Sequence, residues 1–165
     1  MNYQIETWGR ERLPAAVEII RRSFASVASQ FGLTYENCPG NGAFITEERL
    51  RNTLKRNARL FILNLAVEAA GCIIAKRKNA EIWYVEKLAV LPQHRRQGYG
   101  RALLNHAEAY IWNEGGRQIL IGIISTHNKL LRWYENAGYA ASETREFASL
   151  PFSVLYLTKA LDRNS

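Results

Sequence analysis

Apolar residues recur along the chain with two periods, and the changes between the periods predict the order of strands and helices. A weakly alternating segment at residues 2–8 predicts a first strand. Beyond Arg10, apolar residues return every three or four positions, as on one face of a helix. These residues are Leu13, Val17, Ile20, Phe24 and Val27. Residues 32–44 are rich in turn formers and have no period, so we expect a loop there, after which Thr46 caps a second helix.

The remaining segments predict six strands and two helices. Segments 59–68 and 71–78 predict an antiparallel hairpin that turns at Ala69 and Ala70. The elements that follow are a strand at 81–92, a helix at 98–113, a strand at 118–124, a helix at 126–138 and strands at 139–147 and 152–161. The order β-α-α-β-β-β-α-β-α-β-β, with a β-α-β unit in its middle, predicts one α/β domain over residues 1–165. Its mixed central sheet is flanked by helices on both faces.

Composition and charge restrict the function classes. The chain of 165 residues is 47% hydrophobic and 22% charged, as globular proteins are. No apolar run is long enough to cross a membrane and the polar start lacks an apolar signal region, so we expect a cytoplasmic protein without a membrane partner. The net charge of +7 attracts anions. Its basic groups are dispersed, which argues against a nucleic-acid partner.

The cysteine content predicts neither a disulfide framework nor a metal site. The chain has two cysteines, Cys38 and Cys72, and they do not form a metal-ligand cluster. Cys72 lies in an apolar segment and is expected to be a buried core thiol. Cys38 lies in a turn-like segment, where we favour an inert buried thiol over one that faces a site.

A basic turn with two glycines, Arg95-Arg96-Gln97-Gly98-Tyr99-Gly100, lies between a predicted strand and a predicted helix. A helix start offers unpaired N–H groups and the positive end of the helix dipole. The glycines let the backbone approach an oxygen, and the arginines, with Arg101 just beyond, add charged donors. These features predict a phosphate site. The turn lacks the third glycine of a dinucleotide site and the Gly-Lys-Ser/Thr of a nucleotide triphosphate loop. A basic helix start without a ligand is the alternative.

Residues 95–100 resemble the pyrophosphate turn of the GNAT superfamily of N-acetyltransferases, which reads Gln/Arg-x-x-Gly-x-Gly/Ala. The flanking "LAVLP" and "RALLNHAEAY" resemble the strand and helix on either side of that turn. The later "LLRWYENAGY" resembles the family's second signature, a helical tyrosine followed by a Gly-aromatic pair. The resemblance is strong over residues 81–139 and extends by element order over residues 3–160. It implies the GNAT fold and transfer of an acetyl group from acetyl-CoA to a primary amine, by direct attack on the thioester.

The resemblance also implies how acetyl-CoA would bind. Its pyrophosphate would lie on the amides of residues 96–101, and its pantetheine arm would pair with residues 88–90, in a gap between splayed strands that a bulge often opens in the family. A family asparagine seven residues before the tyrosine corresponds to His127 by count or to Asn128 one place on, and we favour Asn128. The predicted cofactor-binding residues are Leu88, Ala89, Val90, Arg95, Arg96, Gln97, Gly98, Tyr99, Gly100, Arg101 and Asn128.

Two side chains are candidates for the chemistry. By correspondence with the family tyrosine, Tyr134 would protonate the departing thiolate, since a phenol with a pKa of about 10 stays protonated at neutral pH; a core aromatic is the alternative. Glu86 is the candidate base, because strand alternation places it on one face with Leu88 and Val90, where apolar surroundings would raise its pKa. Three alternatives remain open: an ion pair of Glu86 with Lys76 or Lys87, exposure of Glu86 at a strand end, and a water chain as base. The Val90 N–H is the candidate oxyanion donor, and His106 is expected on the solvent side of its helix.

The sequence leaves the acceptor and the assembly open. In the family the acceptor enters near the segments that correspond here to the loop at 32–44 and to residues 143–151, so Tyr35, Glu36 and Asn37 are candidates to hold a small-molecule or peptide amine. The final strand could pair across a homodimer. A CoA-binding sensor or regulatory domain without catalysis is the alternative function.

Overall fold

One seven-stranded sheet runs through the computed structural model, which describes residues 2–163. Its strands are β1 (Gln4–Thr7), β2 (Ala58–Asn64), β3 (Ala69–Arg77), β4 (Ile82–Val90), β5 (Gln118–Ile124), β6 (Ala140–Arg145) and β7 (Val154–Ala160). The helices are α1 (Leu13–Gln30), α2 (Glu47–Leu54), α3 (Tyr99–Asn113) and α4 (Asn128–Asn136). The predicted element order and the α/β class are confirmed.

The sheet is mixed, with strand order β1-β2-β3-β4-β5-β7-β6. Only β4 and β5 pair in parallel among the described strands, because α3 returns the chain to the same end of the sheet before β5 begins. The final strand β7 lies between β5 and β6 and pairs with both. The prediction that the final strand pairs across a homodimer is therefore wrong, since both of its edges are already occupied.

The turn between β2 and β3 lies earlier than predicted. Ala69 already pairs with Asn64, and the connection is closed by a hydrogen bond from the Leu65 N–H to the Glu68 carbonyl, 2.9 Å away. Ala70 is fully buried, and its carbonyl accepts the Leu91 N–H. The two alanines belong to the strand because their small side chains fit partly or fully buried positions, and residues 65–68, of which Ala66 and Val67 are exposed, form the turn.

Two apolar layers cover the two faces of the sheet. Ile73 and Ala75 of β3 pack toward α3, whose inner stripe is completely buried. That stripe consists of Leu103, Leu104, Ala107 and Ile111, as the periodicity predicts. Cys72 and Ile74 point to the opposite face and pack with α1 and α2. The alternation along β3 therefore contributes to both layers, which identifies it as a central strand.

Cys72 is the buried thiol that the sequence predicts, and it is expected to resist alkylation in the folded protein. Burial raises its pKa to about 12, so the nucleophilic thiolate is scarce at neutral pH. In a Cys38→Ala variant, iodoacetamide should label Cys72 only after denaturant is added, as intact-mass spectrometry would report. Labelling in native buffer at the rate of a free cysteine would contradict this assignment.

Neither a membrane span nor a metal cluster is found between residues 2 and 163. No helix in that range combines the length and the hydropathy needed to cross a bilayer. No three side chains of His, Cys, Asp or Glu converge there as metal ligands would. The cytoplasmic location stays a prediction.

Candidate active site

The two parallel strands at the centre of the sheet separate part-way along their length. Ladder pairing between β4 and β5 covers only Ile82–Tyr84 and Gln118–Leu120, whereas β5 stays paired with β7 from Gln118 to Ile124. Within the described chain, β4 has no strand partner on its β5 side from residue 85 onward. The gap that the family resemblance implies is thus present. Strand edges with unpaired main-chain groups accept extended ligands by adding hydrogen bonds.

A bulge in β4 lies at the mouth of this gap. Cys72 of β3 pairs with Ala89 and Ile74 pairs with Glu86, so one residue of β3 faces two residues of β4. Lys87 is the extra residue, and its φ of 53° is left-handed. The insertion bends β4 away from β5, which explains why pairing does not continue to the end of the strands.

The bulge changes the face on which Glu86 lies. Its pairing partner Ile74 packs with α1 and α2, and directly opposed residues of an antiparallel pair share a face. Leu88 and Val90 pack instead on the α3 side. The prediction that Glu86 shares a face with Leu88 and Val90 is therefore wrong, because one inserted residue shifts the alternation by one. Glu86 lies on the side of the sheet that carries the loop between α1 and α2.

The turn after β4 presents a row of unpaired amides. A short 3₁₀ helix at Pro92–His94 leads into Arg96, whose φ is 61°, and Gly98, whose φ is 86°. No side chain caps α3 at Gly98, and the first amide bonded back to the turn is that of Ala102, which donates to the Gly98 carbonyl at 3.0 Å. The amides of residues 96–101 have no acceptor elsewhere in the described chain. Convergent amides at a helix N-terminus form an anion site.

The three arginines of the turn differ in what they contact. Arg95 points inward: its Nε donates to the Val90 carbonyl at 3.0 Å, and Nη2 donates to the Ser23 carbonyl at 2.6 Å. Arg101 donates to Asn105 of its own helix at 3.2 Å. Arg96 is exposed and makes no hydrogen bond or ion pair with the part of the chain that the structure describes. Arg95 therefore fastens α1 to the end of β4, and Arg96 is the arginine whose guanidinium is available to an anion.

Tyr134 combines a buried ring with a free hydroxyl. Only 4% of Tyr134 is exposed, and burial raises its pKa above the ordinary value for a phenol. Its hydroxyl makes no hydrogen bond to residues 2–163, whereas the neighbouring Tyr139 donates its hydroxyl to Glu108 at 2.9 Å. The two rings lie edge to face, 5.5 Å apart. Tyr134 is thus protonated at neutral pH and has an unused donor.

Helix α4 packs beside the turn through Trp133, the residue before Tyr134. A Cβ atom added to Gly100 would lie 3.6 Å from the Trp133 ring and 3.8 Å from a methyl group of Val90. Gly100 thus lies where the end of β4, the start of α3 and α4 come together. This convergence brings the helix that carries Tyr134 to the row of amides and the open strand edge.

The structure separates the roles of His127 and Asn128. His127 caps α4 by accepting the Leu130 N–H on Nδ1 at 3.3 Å, and its ring lies 5.1 Å from that of Phe31. Burial is the main cause that lowers its pKa. Asn128 is exposed, and its side chain makes no hydrogen bond to the described residues. Of the two, Asn128 is therefore the side chain still able to contact a cofactor.

His106 was predicted on the solvent side of α3, but the structure places it half-buried at the rim of that helix. Its ring lies 4.7 Å from that of Phe61, and burial lowers its pKa. The residue is half-buried because the rim of α3 packs against β2. His106 lies on the α3 side of the sheet, opposite the face that carries Glu86.

The loops expected around the acceptor meet at the end of β5. Leu33 and Cys38 of the first loop are buried against Ile124, and Leu150 and Phe152 of the loop between β6 and β7 pack on the same cluster. One candidate acceptor residue in the first loop, Asn37, has a structural role, since its Oδ1 accepts the Thr34 N–H at 2.8 Å. Tyr35 remains 62% exposed. The two loops therefore pack together at the end of β5.

A family model and one sequence relative match the chain. The model of the Acetyltransferase (GNAT) family matches residues 25–139. An uncharacterized N-acetyltransferase of Chlorobaculum tepidum is 23% identical over 135 residues, which cover 82% of this chain and 83% of the relative.

Solved acetyltransferases share the fold. PaiA N-acetyltransferase from Thermoplasma acidophilum, in complex with coenzyme A, gives a TM-score of 0.81 at 16% identity and covers 98% of this chain and 100% of its own. The ribosomal-protein-S18-alanine N-acetyltransferase of Escherichia coli gives 0.77 at 18% identity, covering 99% of each chain. A GNAT family acetyltransferase of Elizabethkingia anophelis with acetyl-CoA bound gives 0.66 at 17% identity, covering 97% of this chain and 99% of its own.

Proposed function

Because the chain belongs to the GNAT family of acetyltransferases, and so is an acyltransferase, we propose that it transfers the acetyl group of acetyl-CoA to a primary amine, which attacks the thioester directly. One observation carries this proposal: unpaired amides at residues 96–101 adjoin a gap in which β4 offers unpaired main-chain groups. The first feature suits a pyrophosphate, and the second suits the amide-containing arm of CoA.

The residues present fit acetyl-CoA, which supplies an activated acetyl group as a thioester. The amides of residues 96–101 would hold the pyrophosphate, and Arg96 would add a charged donor. Main-chain groups of Leu88 and Val90 would hold the pantetheine arm, and the free amide of Asn128 would contact it from the opposite wall. The CoA-bound and acetyl-CoA-bound relatives support this choice of cofactor.

The Val90 N–H is suited to stabilise the oxygen that gains charge when the amine attacks. The next residue, Leu91, donates its N–H to Ala70 on the β3 side at 2.8 Å. Successive N–H groups of a strand point to opposite sides, so the Val90 N–H faces the gap. A donor already aimed at a developing negative charge lowers the barrier without reorganisation.

Two proton transfers complete the reaction. Tyr134 would donate the proton that the departing sulfur requires, because its phenol is protonated and its hydroxyl is otherwise unused. Glu86, on the acceptor side of the sheet, would take the proton that the acceptor ammonium must lose before attack, either directly or through water. These roles assign the acid and the base to opposite faces of β4.

The binding part of the proposal is tested with two matched glycine variants. Isothermal titration of the chain with acetyl-CoA should show binding, and Gly98→Ala should weaken it by about tenfold or more, the equivalent of one charge-assisted hydrogen bond. The reason is that a side chain at a φ of 86° disturbs the amides that face the phosphates. Gly115→Ala, at a φ of 91° at the other end of α3, carries the same backbone strain and should bind normally.

The catalytic part is tested by mass spectrometry. Incubation of the chain and acetyl-CoA with a panel of primary amines should yield acetylated amines together with free CoA. Absence of acetyl-CoA binding by the wild-type chain would refute the proposed function, and equal affinities of the Gly98 and Gly115 variants would refute the assignment of the phosphate site.

A further inference from the structure

Lys87 is the extra residue of the bulge in β4, and it is not among the groups that the proposed acetyl transfer uses. Its side chain reaches α1, where Nζ lies 5.7 Å from the centre of the Phe24 ring. No acceptor for this ammonium occurs among residues 2–163. Burial is the main cause that lowers its pKa; the Glu86 carboxylate opposes this effect and the Arg49 charge adds to it. Partial removal of an ammonium from water is unfavourable where no anion is hydrogen-bonded to it.

The backbone of Lys87 adds to this cost. A left-handed φ of 53° is disfavoured for a residue that carries a Cβ atom. Strained residues of this kind persist where the surrounding structure enforces them, and they cluster at binding and catalytic sites. The strain here has a geometric result, because the bulge turns the Lys87 side chain toward α1 rather than toward α3.

The groups around Lys87 leave the region positive. Arg49 lies on α2, and its guanidinium donates to the carbonyl of Pro39 in the loop between α1 and α2. Gly42 of this loop lies against the ring of Phe24, the same ring that the Lys87 ammonium approaches. Cys72 is neutral at physiological pH because burial raises its pKa to about 12. Glu86 is the carboxylate beside these two cations. One negative group against two positive ones leaves a net attraction for an anion.

A second unpaired donor lies on α1, at the residue directly before Phe24. Ser23 is only 2% exposed, and its hydroxyl has no hydrogen-bond partner in the described structure. One guanidinium, that of Arg95, binds both the Ser23 carbonyl and the Val90 carbonyl. Ser23 therefore lies beside the end of β4, next to the proposed site of acetyl transfer. A hydroxyl without a partner at this position is a group that a ligand can satisfy.

We propose that Lys87 and Arg49 form a subsite that binds a carboxylate of the acceptor, with Ser23 as an additional hydrogen-bond donor. The acceptor is then a small amino acid in which a short chain separates the carboxylate from the amine. This inference rests on the proposed acetyl transfer at Val90. Val90 follows Lys87 by three positions, which is at most roughly 10 Å along the strand because the bulge shortens it, so the two groups of the acceptor must be separated by a short chain.

The test compares ω-amino acids of graded chain length with their carboxamides as acceptors. The wild-type chain should favour the acid over the matched amide by about tenfold or more in kcat/KM, as expected for a charged hydrogen-bonded pair. Lys87→Met should remove this preference by raising KM for the acids, with the amides unaffected. Lys78→Met is the matched control, since Lys78 lies 5.6 Å from the Tyr84 ring and its loss removes the same charge elsewhere on the sheet.

Three outcomes would overturn the proposal. Equal kcat/KM values for acids and amides in the wild-type chain would show that no carboxylate is recognised, although acetyl transfer itself would stand. A fall of kcat for amides as well as acids in Lys87→Met, with a shifted pH profile, would identify Lys87 as a base. If the chain acetylates no amine, calorimetry compares the affinities of N-acetylated ω-amino acids and of their carboxamides for the CoA-bound chain. Equal affinities for the acids and the carboxamides would refute the carboxylate subsite.

Discussion

Replacing Tyr134 by phenylalanine should lower kcat for acetyl transfer by about 10²- to 10⁴-fold, the usual contribution of a positioned general acid. The change removes one oxygen and keeps the ring that packs against Tyr139. Because the Tyr134 hydroxyl makes no hydrogen bond within the described chain, its loss leaves no other group unsatisfied. Stability and acetyl-CoA affinity should therefore stay near the wild-type values. Steady-state release of free CoA, measured with a thiol reagent, checks this result.

Tyr139→Phe is the matched control for this experiment. Both tyrosines are buried and lie side by side, but the Tyr139 hydroxyl is already bound to Glu108 at 2.9 Å. Its removal should lower the melting temperature and leave kcat unchanged below that temperature. Equal kcat for wild type and Tyr134→Phe would remove Tyr134 from the mechanism. Tight binding of acetyl-CoA without any turnover by the wild-type chain would instead favour a CoA-binding regulatory domain.

The bulge in β4 shows how far alternation can be read from sequence. The buried residues Trp83 and Val85 keep a spacing of two, and the next residue on the same face is Leu88, three positions later. A spacing of three within a strand is the trace of an inserted residue. Uniform alternation across it reversed the predicted face of Glu86 and gave no sign that Lys87 is the inserted residue.

The phosphate turn could be predicted because its chemistry is local. Main-chain amides, two glycines and a helix start follow one another within Arg95–Gly100, and the backbone alone forms the site. The contacts of the Arg95 side chain could not be predicted from the local sequence. It bonds Ser23 and Ser26, which are 72 and 69 residues away along the chain. Contacts of that range depend on the completed fold.

Strand neighbours are another property that local pattern does not contain. Periodicity identified β7 as a strand, but its position between β5 and β6 follows from pairing across the sheet. The position of the turn before Ala69 also depends on tertiary contacts, because Ala70 is buried in the cluster that includes α3. The local sequence pattern therefore predicts whether a segment is a strand or a helix. The position of a strand in the sheet, the placement of a turn and the presence of unpaired buried donors depend instead on tertiary contacts.

A buried polar network fastens α3 to the far side of the sheet. Glu108 of α3 accepts a hydrogen bond from Lys159 of β7 at 2.9 Å and another from the Tyr139 hydroxyl at 2.9 Å. The Lys159 ammonium also donates to the Ala137 carbonyl at 3.1 Å. The side chains of Glu108 and Lys159 are 7% and 15% exposed. Both carboxylate oxygens thus have partners, and each charge depends on the other.

Lys159→Met should therefore destabilise the chain by about 3–5 kcal/mol, because it leaves the Glu108 carboxylate buried without its cation. Thermal unfolding followed by circular dichroism should show a fall of roughly 6–20 °C. The Glu108→Leu/Lys159→Met double variant should recover much of the loss, since an apolar pair leaves no stranded charge. The exposed pair Glu143–Arg145, also 2.9 Å apart, is the control, and Arg145→Met should cost less than about 1 kcal/mol. Equal costs for the Lys159 and Arg145 variants would show that the buried network contributes no more than a surface ion pair.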